Sequence, residues 1–129
     1  MQEKNMVLKL KYGKTIKIDI NKIHQLFIIV LDNAIKYTEK NDNITVSTYE
    51  KDNKCVIEII DTGIGINDES IEHIFERFYR EDKARSRASG GSGLGLSIAD
   101  YIVDLHGGTI KAEHNNTKGT KIIIKLPKG

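Results

Sequence analysis

Long apolar runs are missing from this chain. The longest purely apolar stretch is Leu26 to Leu31, too short to cross a bilayer, and no basic segment followed by an apolar one opens the sequence. Cysteine is almost absent. Cys55 is the only one, so no internal disulfide can form, and its place inside an apolar run fits a reducing compartment. Charge of one sign is not in excess either: the net charge is +2, too small to imply a nucleic-acid or membrane partner. Internal repeats and low-complexity tracts do not occur. What remains is ordinary for a soluble globular chain, with 39% hydrophobic and 29% charged residues in 129. One domain over 1–129 is expected, burying roughly two thirds of its unfolded surface, either intracellular or the intracellular piece of something larger.

Met6 to Leu10 and Thr15 to Ile20 alternate apolar with polar residues around Tyr12-Gly13, which predicts a β-hairpin. From Asn21, a suitable N-cap, the residues Ile23, Leu26, Phe27, Val30, Leu31 and Ala34 recur at helical spacing to about Tyr37 or Thr38. Ile44 to Tyr49 alternates again. After a turn at Asp52-Asn53, Cys55 to Ile60 is nearly continuous in apolar residues, as a central buried strand would be. A short helix is expected over about 68–75 and a third helix over about Leu94 to His106, closed by Gly107-Gly108. Thr109 to His114 and Thr120 to Leu126 form a last hairpin, ended by Pro127, the only proline. The order ββαββ(α)αββ predicts an α+β, two-layer α/β sandwich: a mixed β-sheet with three helices on one face. Residues 76–92 are polar, basic and without period, the length of a functional lid.

That segment runs into SGGSGLGLSIA, residues 89–99. A Walker-type loop needs a lysine after its glycines, and none is there. A dinucleotide fingerprint needs a third glycine where Leu96 stands, and a strand before it. What fits is more general: a glycine segment meeting a helix N-terminus near Leu94, where free N–H groups and the helix dipole favour an anion. Two further elements accompany it. Asp61-Thr-Gly-Ile-Gly-Ile66 ends the buried strand, placing one carboxylate beside backbone that a ligand can approach closely. On the first helix, Ile29, Asn33, Lys36 and Tyr37 share one stripe. Asn33 offers an amide oxygen suited to Mg²⁺, and Lys36 a cation suited to phosphate. Each element alone is equally an ordinary turn, a wet helix face or a mobile loop.

Taken in order, NAIKYT (33–38), DTGIGI (61–66), FERFYRED (75–82), GGSGLGLSIA (90–99) and GTKIIIKLP (119–127) resemble the catalytic ATP-binding domain of bacterial sensor histidine kinases. They look like its N, G1, F and G2 boxes and its closing strand motif, across nearly the whole chain. The wider superfamily includes gyrase-type ATPases, Hsp90-type chaperones and mismatch-repair ATPases. The resemblance implies a Bergerat-type ATP-binding fold, with ATP and Mg²⁺ held between the helices and a lid at about 76–93.

On that resemblance Asp61 accepts a hydrogen bond from the adenine amine, and Gly63 and Gly65 let the backbone pass close to the nucleotide. Asn33 ligates Mg²⁺, Lys36 lies near the phosphates and Tyr37 near the base or ribose. Gly91, Gly93 and Gly95 close the lid on the phosphates. Ile66, Leu94 and Leu96 complete the nucleotide contacts, and Thr120 lines the pocket floor. Arg77, Arg80, Arg85 and Arg87 supply cations around the lid, with Arg77 the leading candidate for the γ-phosphate.

One position departs from the pattern. Gyrase-type relatives carry a water-activating glutamate four residues before the metal-binding asparagine, where this chain has Ile29. Asp32 is turned about 100° round the helix from Asn33 and cannot substitute, which argues against efficient ATP hydrolysis. An imidazole acceptor needs less activation, being nucleophilic when neutral. His24, His73, His106 and His114 have neither metal-ligand spacing nor the family's acceptor pattern, which includes a nearby proline. The implied partner is therefore a separate histidine-containing dimerisation domain, with a response regulator acting downstream, and the isolated domain is expected to be monomeric and cytoplasmic. A serine kinase of the anti-sigma type on the same fold is a second reading, disfavoured by FERFYR and the GLGLSIA helix. A silent nucleotide sensor is a third, disfavoured by the intact Asn33, Asp61 and lid glycines. Nucleic-acid binding is the weakest, because Glu76, Glu81 and Asp82 interleave with the arginines.

Overall fold

The structure, a computed structural model, describes residues 5–9, 15–76, 95–116 and 118–127. Strands β1 (Asn5–Lys9) and β2 (Thr15–Asp19) pair antiparallel as a separate two-stranded sheet. Helix α1 (Ile20–Lys36) starts directly from the end of β2. Its N-cap is Asp19, two residues before the expected Asn21: the extended Asp19 backbone lets its Oδ1 accept the N–H groups of Asn21 at 3.1 Å and Lys22 at 3.2 Å. Both residue types cap well, but a carboxylate also complements the positive end of the helix.

Strands β3 (Ile44–Lys51) and β4 (Lys54–Asp61) form a hairpin. Asp52 and Asn53 both take positive φ, 52° and 65°, as the two-residue turn that matches strand twist requires. Helix α2 (Gly95–Leu105) leads to β5 (Thr109–His114) and β6 (Thr120–Pro127). Gly107, at φ +72°, ends α2, with Gly108 N–H bonded to Val103 O and Gly107 N–H to Asp104 O, the two-bond pattern that closes many helices.

The main sheet has the order β3-β4-β6-β5, and every described pairing is antiparallel. Among the described strands the sheet is antiparallel throughout rather than mixed, for a topological reason. The helical crossover does return β5 in the direction of β4, but β6 folds back between them. β4 is thus paired on both sides, and its inward residues Cys55, Ile57 and Ile59 face Ile23, Leu26, Val30 and Ala34 of α1 and Ala99, Ile102 and Val103 of α2. Ile122, Ile124 and Leu126 of β6 complete this core. Each Ile, Leu or Val among these contributes on the order of 1.5–3 kcal/mol by leaving water.

Among the described residues two α-helices lie on the sheet, not three. The short helix expected over 68–75 is a chain of turns instead. Ser70 N–H bonds to Asn67, His73 N–H to Ser70 O and Glu76 N–H to His73 O, while Ile66 and Ile74 still reach the core. His106 ties the two helices together at their far ends. Its Nε2 accepts the Asp19 N–H at 3.1 Å, and its Nδ1 lies 2.9 Å from Ile102 O.

Candidate functional site

At the end of β4 the buried strand stops at Asp61, whose side chain is only 4% exposed. A carboxylate here must be held, and two backbone groups hold it. Oδ1 accepts the N–H of Gly63 at 3.0 Å and of Thr120 at 3.2 Å. Among the described residues no hydrogen bond falls on Oδ2. Burial pushes the Asp61 carboxyl above its ordinary pKa; the two N–H bonds oppose that rise, and the nearby Asp42 charge adds to it.

Three chain segments meet around this carboxyl. The end of α1 contributes the Tyr37 carbonyl, which accepts Ile64 N–H at 3.1 Å. Gly63 lies against that same carbonyl, and a side-chain carbon there would collide with it. The reason for glycine at 63 is therefore close packing on the end of α1, not only the approach of a ligand. The β5–β6 turn is the third segment. Gly119, at φ +102°, presses on the Asp61 carbonyl so closely that no side chain fits, and Asn115 N–H bonds to Gly119 O. Gly65, at φ +78°, packs beside Gly119. Thr120 is buried next to the carboxyl and Ile66 enters the core.

The α1 stripe is more open. Asn33 is half-buried. Lys36 pairs with Asp32 at 3.2 Å, an i,i+4 ion pair whose side chains are 31% and 58% exposed. Ile29, one turn before Asn33, packs partly buried on the core, and its Cγ2 is the nearest atom to the space a side chain on Gly95 would enter, at 3.6 Å. The start of α2 thus sits beside the Asn33 stripe. Leu96 is partly buried against the core.

Of the residues singled out from the sequence, Tyr37, Asp61, Gly63, Gly65, Ile66 and Thr120 converge at one end of the sheet, while Asn33, Lys36, Gly95 and Leu96 lie along the α1–α2 side. Arg77, Arg80, Arg85, Arg87, Gly91, Gly93 and Leu94, with the lid they belong to, lie outside the described residues. Gly119 was legible only as part of a strand motif; its contact with Asp61 comes from a pairing across the sheet. Asp42 and Lys118, which flank the Asp61 loop, carry no motif, and Thr62 lies within DTGIGI without a role assigned from the sequence.

No group of three or more His, Cys, Asp or Glu that could hold a metal occurs among the described residues. Among the described residues of the α1 stripe, Asn33 offers a neutral hard oxygen there. That suits a Mg²⁺ ion, which takes one or two protein oxygens and completes its shell with water and phosphate. No helix among the described residues is long and apolar enough to cross a membrane.

Residues 18–129 match the family described as histidine kinase-, DNA gyrase B-, and HSP90-like ATPase. The signal transduction histidine-protein kinase ArlS of Staphylococcus aureus strain USA300 is 53% identical over 109 residues, 84% of this chain and 24% of ArlS. The chain therefore spans about a quarter of the length of that relative. Among solved structures, a mycobacterial sensor histidine kinase, MprB, superposes with a TM-score of 0.76 at 31% identity, covering 89% of this chain and 79% of MprB. The catalytic domain of the histidine kinase ThkA, in a nucleotide-free form, gives 0.76 at 32% identity, covering 90% and 74%. The chain belongs to the histidine kinase-, gyrase B- and HSP90-like ATPase family, as a catalytic ATP-binding domain of the sensor histidine kinase type.

Proposed function

We propose that this domain binds ATP with Mg²⁺ and transfers the γ-phosphoryl group to a histidine on a separate dimerisation domain, which then serves a response regulator. The observation that carries the nucleotide reading is the Asp61 carboxyl, buried and oriented through Oδ1 by two backbone N–H groups. Oδ2 is left to accept the adenine amine. Guanine would present O6 to the same oxygen, acceptor against acceptor. A charge-assisted hydrogen bond in a largely dry site contributes roughly 1.5–3 kcal/mol, enough to select the base.

The phosphates would then run along α1 toward the start of α2. Asn33 would hold Mg²⁺, which neutralises charge on the phosphate oxygens when bound. Lys36 reaches the same region once it leaves Asp32. An exposed i,i+4 pair contributes only about 0.3–0.5 kcal/mol, so that exchange costs little. In the transfer, an imidazole nitrogen of the partner bonds to the γ-phosphorus as the bond to the bridging oxygen breaks, ADP leaves and the ring gives up its proton. Positioning and charge neutralisation do most of the work in such a step. With Ile29 in the position one turn before Asn33, no carboxylate there activates water, and the nucleotide is kept for the histidine. Arg77, Arg85, Gly91, Gly93 and Leu94 are proposed to complete the phosphate side. A consumer of ATP with a buried thiol at Cys55 belongs in a reducing, cytoplasmic setting.

The direct test mixes the chain with labelled ATP, Mg²⁺ and a histidine-containing dimerisation domain. Acid-labile, base-stable label on the partner is expected. Acid-stable label, or nucleotide binding with no transfer to any such partner, would contradict the assignment.

A further inference from the structure

The Asp61 loop and the β5–β6 turn are joined by a side chain that belongs to neither. Asp42 follows α1 in the loop that leads to β3. Its Oδ2 accepts Glu39 N–H at 2.8 Å, while its own N–H bonds to Glu39 O at 3.0 Å, so a tight turn fixes the carboxylate in place. The Glu39 N–H, with lesser help from Lys118 and Thr62, holds the Asp42 carboxyl below its usual pKa. The side chain is only 11% exposed.

Oδ1 of Asp42 faces two ways. Thr62 Oγ1 donates to it at 3.4 Å and Lys118 Nζ lies at the same distance, from a residue 76 positions away in the chain. Thr62 is itself bracketed: its hydroxyl accepts Asn43 N–H at 2.8 Å and its N–H bonds to Asn43 O at 3.0 Å. Lys118 is held from the other side, because its carbonyl accepts Asn115 Nδ2 at 3.0 Å, and that amide also reaches Asp61 O at 3.4 Å.

The sequence positions of the two partners matter. Thr62 immediately precedes Gly63, and Lys118 stands two residues before Thr120. Gly63 and Thr120 are the two N–H donors on Asp61 Oδ1. Hydrogen bonds weaken steeply with misalignment, so a shift of either donor turns the carboxyl and moves Oδ2 away from the plane of the base. We propose that Asp42 is a positioning residue for base recognition, linking Thr62 to Lys118 so that both donors stay aligned on Asp61. This rests on the reading of Asp61 as the base-recognising group.

The test titrates ATP·Mg²⁺ and GTP·Mg²⁺ into the whole chain and into Asp42→Ala, Lys118→Met, the double variant and Asp61→Asn. A merely structural role would lower both affinities together, so the ATP-over-GTP preference is the deciding readout. Asp42→Ala is expected to reduce that preference about fivefold, the equivalent of one ordinary hydrogen bond, and Lys118→Met about twofold, as a partly exposed ion pair would. The double variant should be no worse than Asp42→Ala alone, since both changes remove the same link. If Asp42→Ala does not fold, Asp42→Asn keeps one acceptor, for Glu39 N–H, and sets an NH₂ toward Thr62 and Lys118 in place of Oδ1; the link to Lys118 is lost and the preference should fall at least as far as in Lys118→Met. An unchanged preference in the Asp42 variants, with preference lost in Asp61→Asn, overturns the positioning role and leaves the base reading intact. An unchanged preference in Asp61→Asn overturns the base reading and the positioning role together.

Discussion

The two ends of the proposed nucleotide site are built on different terms. At the base end, Asp61 is buried, its carboxyl is held by backbone N–H groups, and the surrounding segments pack so tightly that Gly63 and Gly119 admit no side chain. At the proposed phosphate end, Lys36 leans on Asp32 at the surface of α1, and among the described residues only Ile29 Cγ2, at ordinary contact distance, stands near the space beside Gly95. On the proposed reading, base recognition would be preorganised by the fold itself. Phosphate recognition would rely on surface side chains such as Lys36, which must leave Asp32 to reach a ligand.

The contrast is easiest to break with glycines. Gly63→Ala forces a carbon into the Tyr37 carbonyl and should destabilise the domain by about 3 kcal/mol or more, with nucleotide binding lost. Among the described residues, Gly95→Ala meets only Ile29 Cγ2, at ordinary contact distance, and should leave stability unchanged or raise it by about 0.4–1 kcal/mol. Thermal melts of the two variants, side by side, check this. Equal losses would mean that the ends are equally tight.

Asp61→Asn sharpens the comparison through pH. Because burial raises the Asp61 pKa in the folded state, the folded protein holds this proton more tightly than the unfolded chain. The stabilisation from Asp61 is therefore full below its ordinary value of 3.8 and is lost as pH rises through the raised folded value. At pH 7 the charged carboxylate is a burden on the nucleotide-free fold. Asp61→Asn should melt at or above the wild-type temperature at pH 7, with its advantage shrinking as pH falls toward 3.8. A melting temperature well below wild type at pH 7 would contradict the geometry.

Smaller effects belong to the phosphate end. Lys36→Met should weaken ATP binding several-fold, as loss of one charged contact does, and flatten its salt dependence, with the melting temperature unchanged. Asp32→Asn should change stability by less than about 0.5 kcal/mol and leave ATP affinity equal or slightly higher, since Lys36 is freed.

Much of this was legible in the residues. The periodicity of Ile23 to Ala34 located α1, the apolar run from Cys55 located the central strand, and DTGIGI located the buried carboxylate. Other features depend on contacts between distant segments. That β6 lies between β4 and β5 follows from pairing across the whole sheet, and local pattern cannot reveal it. Asn21 and Asp19 are both good caps, and only the end of β2 decides between them. Ile71, Ile74 and Phe75 have helix-like spacing and Asn67 caps the segment through Ser70 N–H, yet after Ile71 the bonds run three residues back, from His73 to Ser70 and from Glu76 to His73, and the segment stays a chain of turns. The need for glycine at 63 is set by the Tyr37 carbonyl, and the Asp42–Lys118 link by a meeting of two loops 76 positions apart in the chain.

The proposed base-reading role of Asp61 is tested most directly by calorimetric titration of ATP·Mg²⁺ and GTP·Mg²⁺ into wild type and Asp61→Asn. The introduced amide is expected to keep its oxygen on the Gly63 and Thr120 N–H groups, as reversing it would set donor against donor. Its NH₂ then faces the base. Adenine meets a second donor, whereas guanine O6 gains a partner. ATP affinity should fall by about 10- to 100-fold, in line with 1.5–3 kcal/mol for the lost bond, while GTP affinity holds or improves. Wild-type ATP affinity with the ATP-over-GTP preference intact in Asp61→Asn would contradict the assignment.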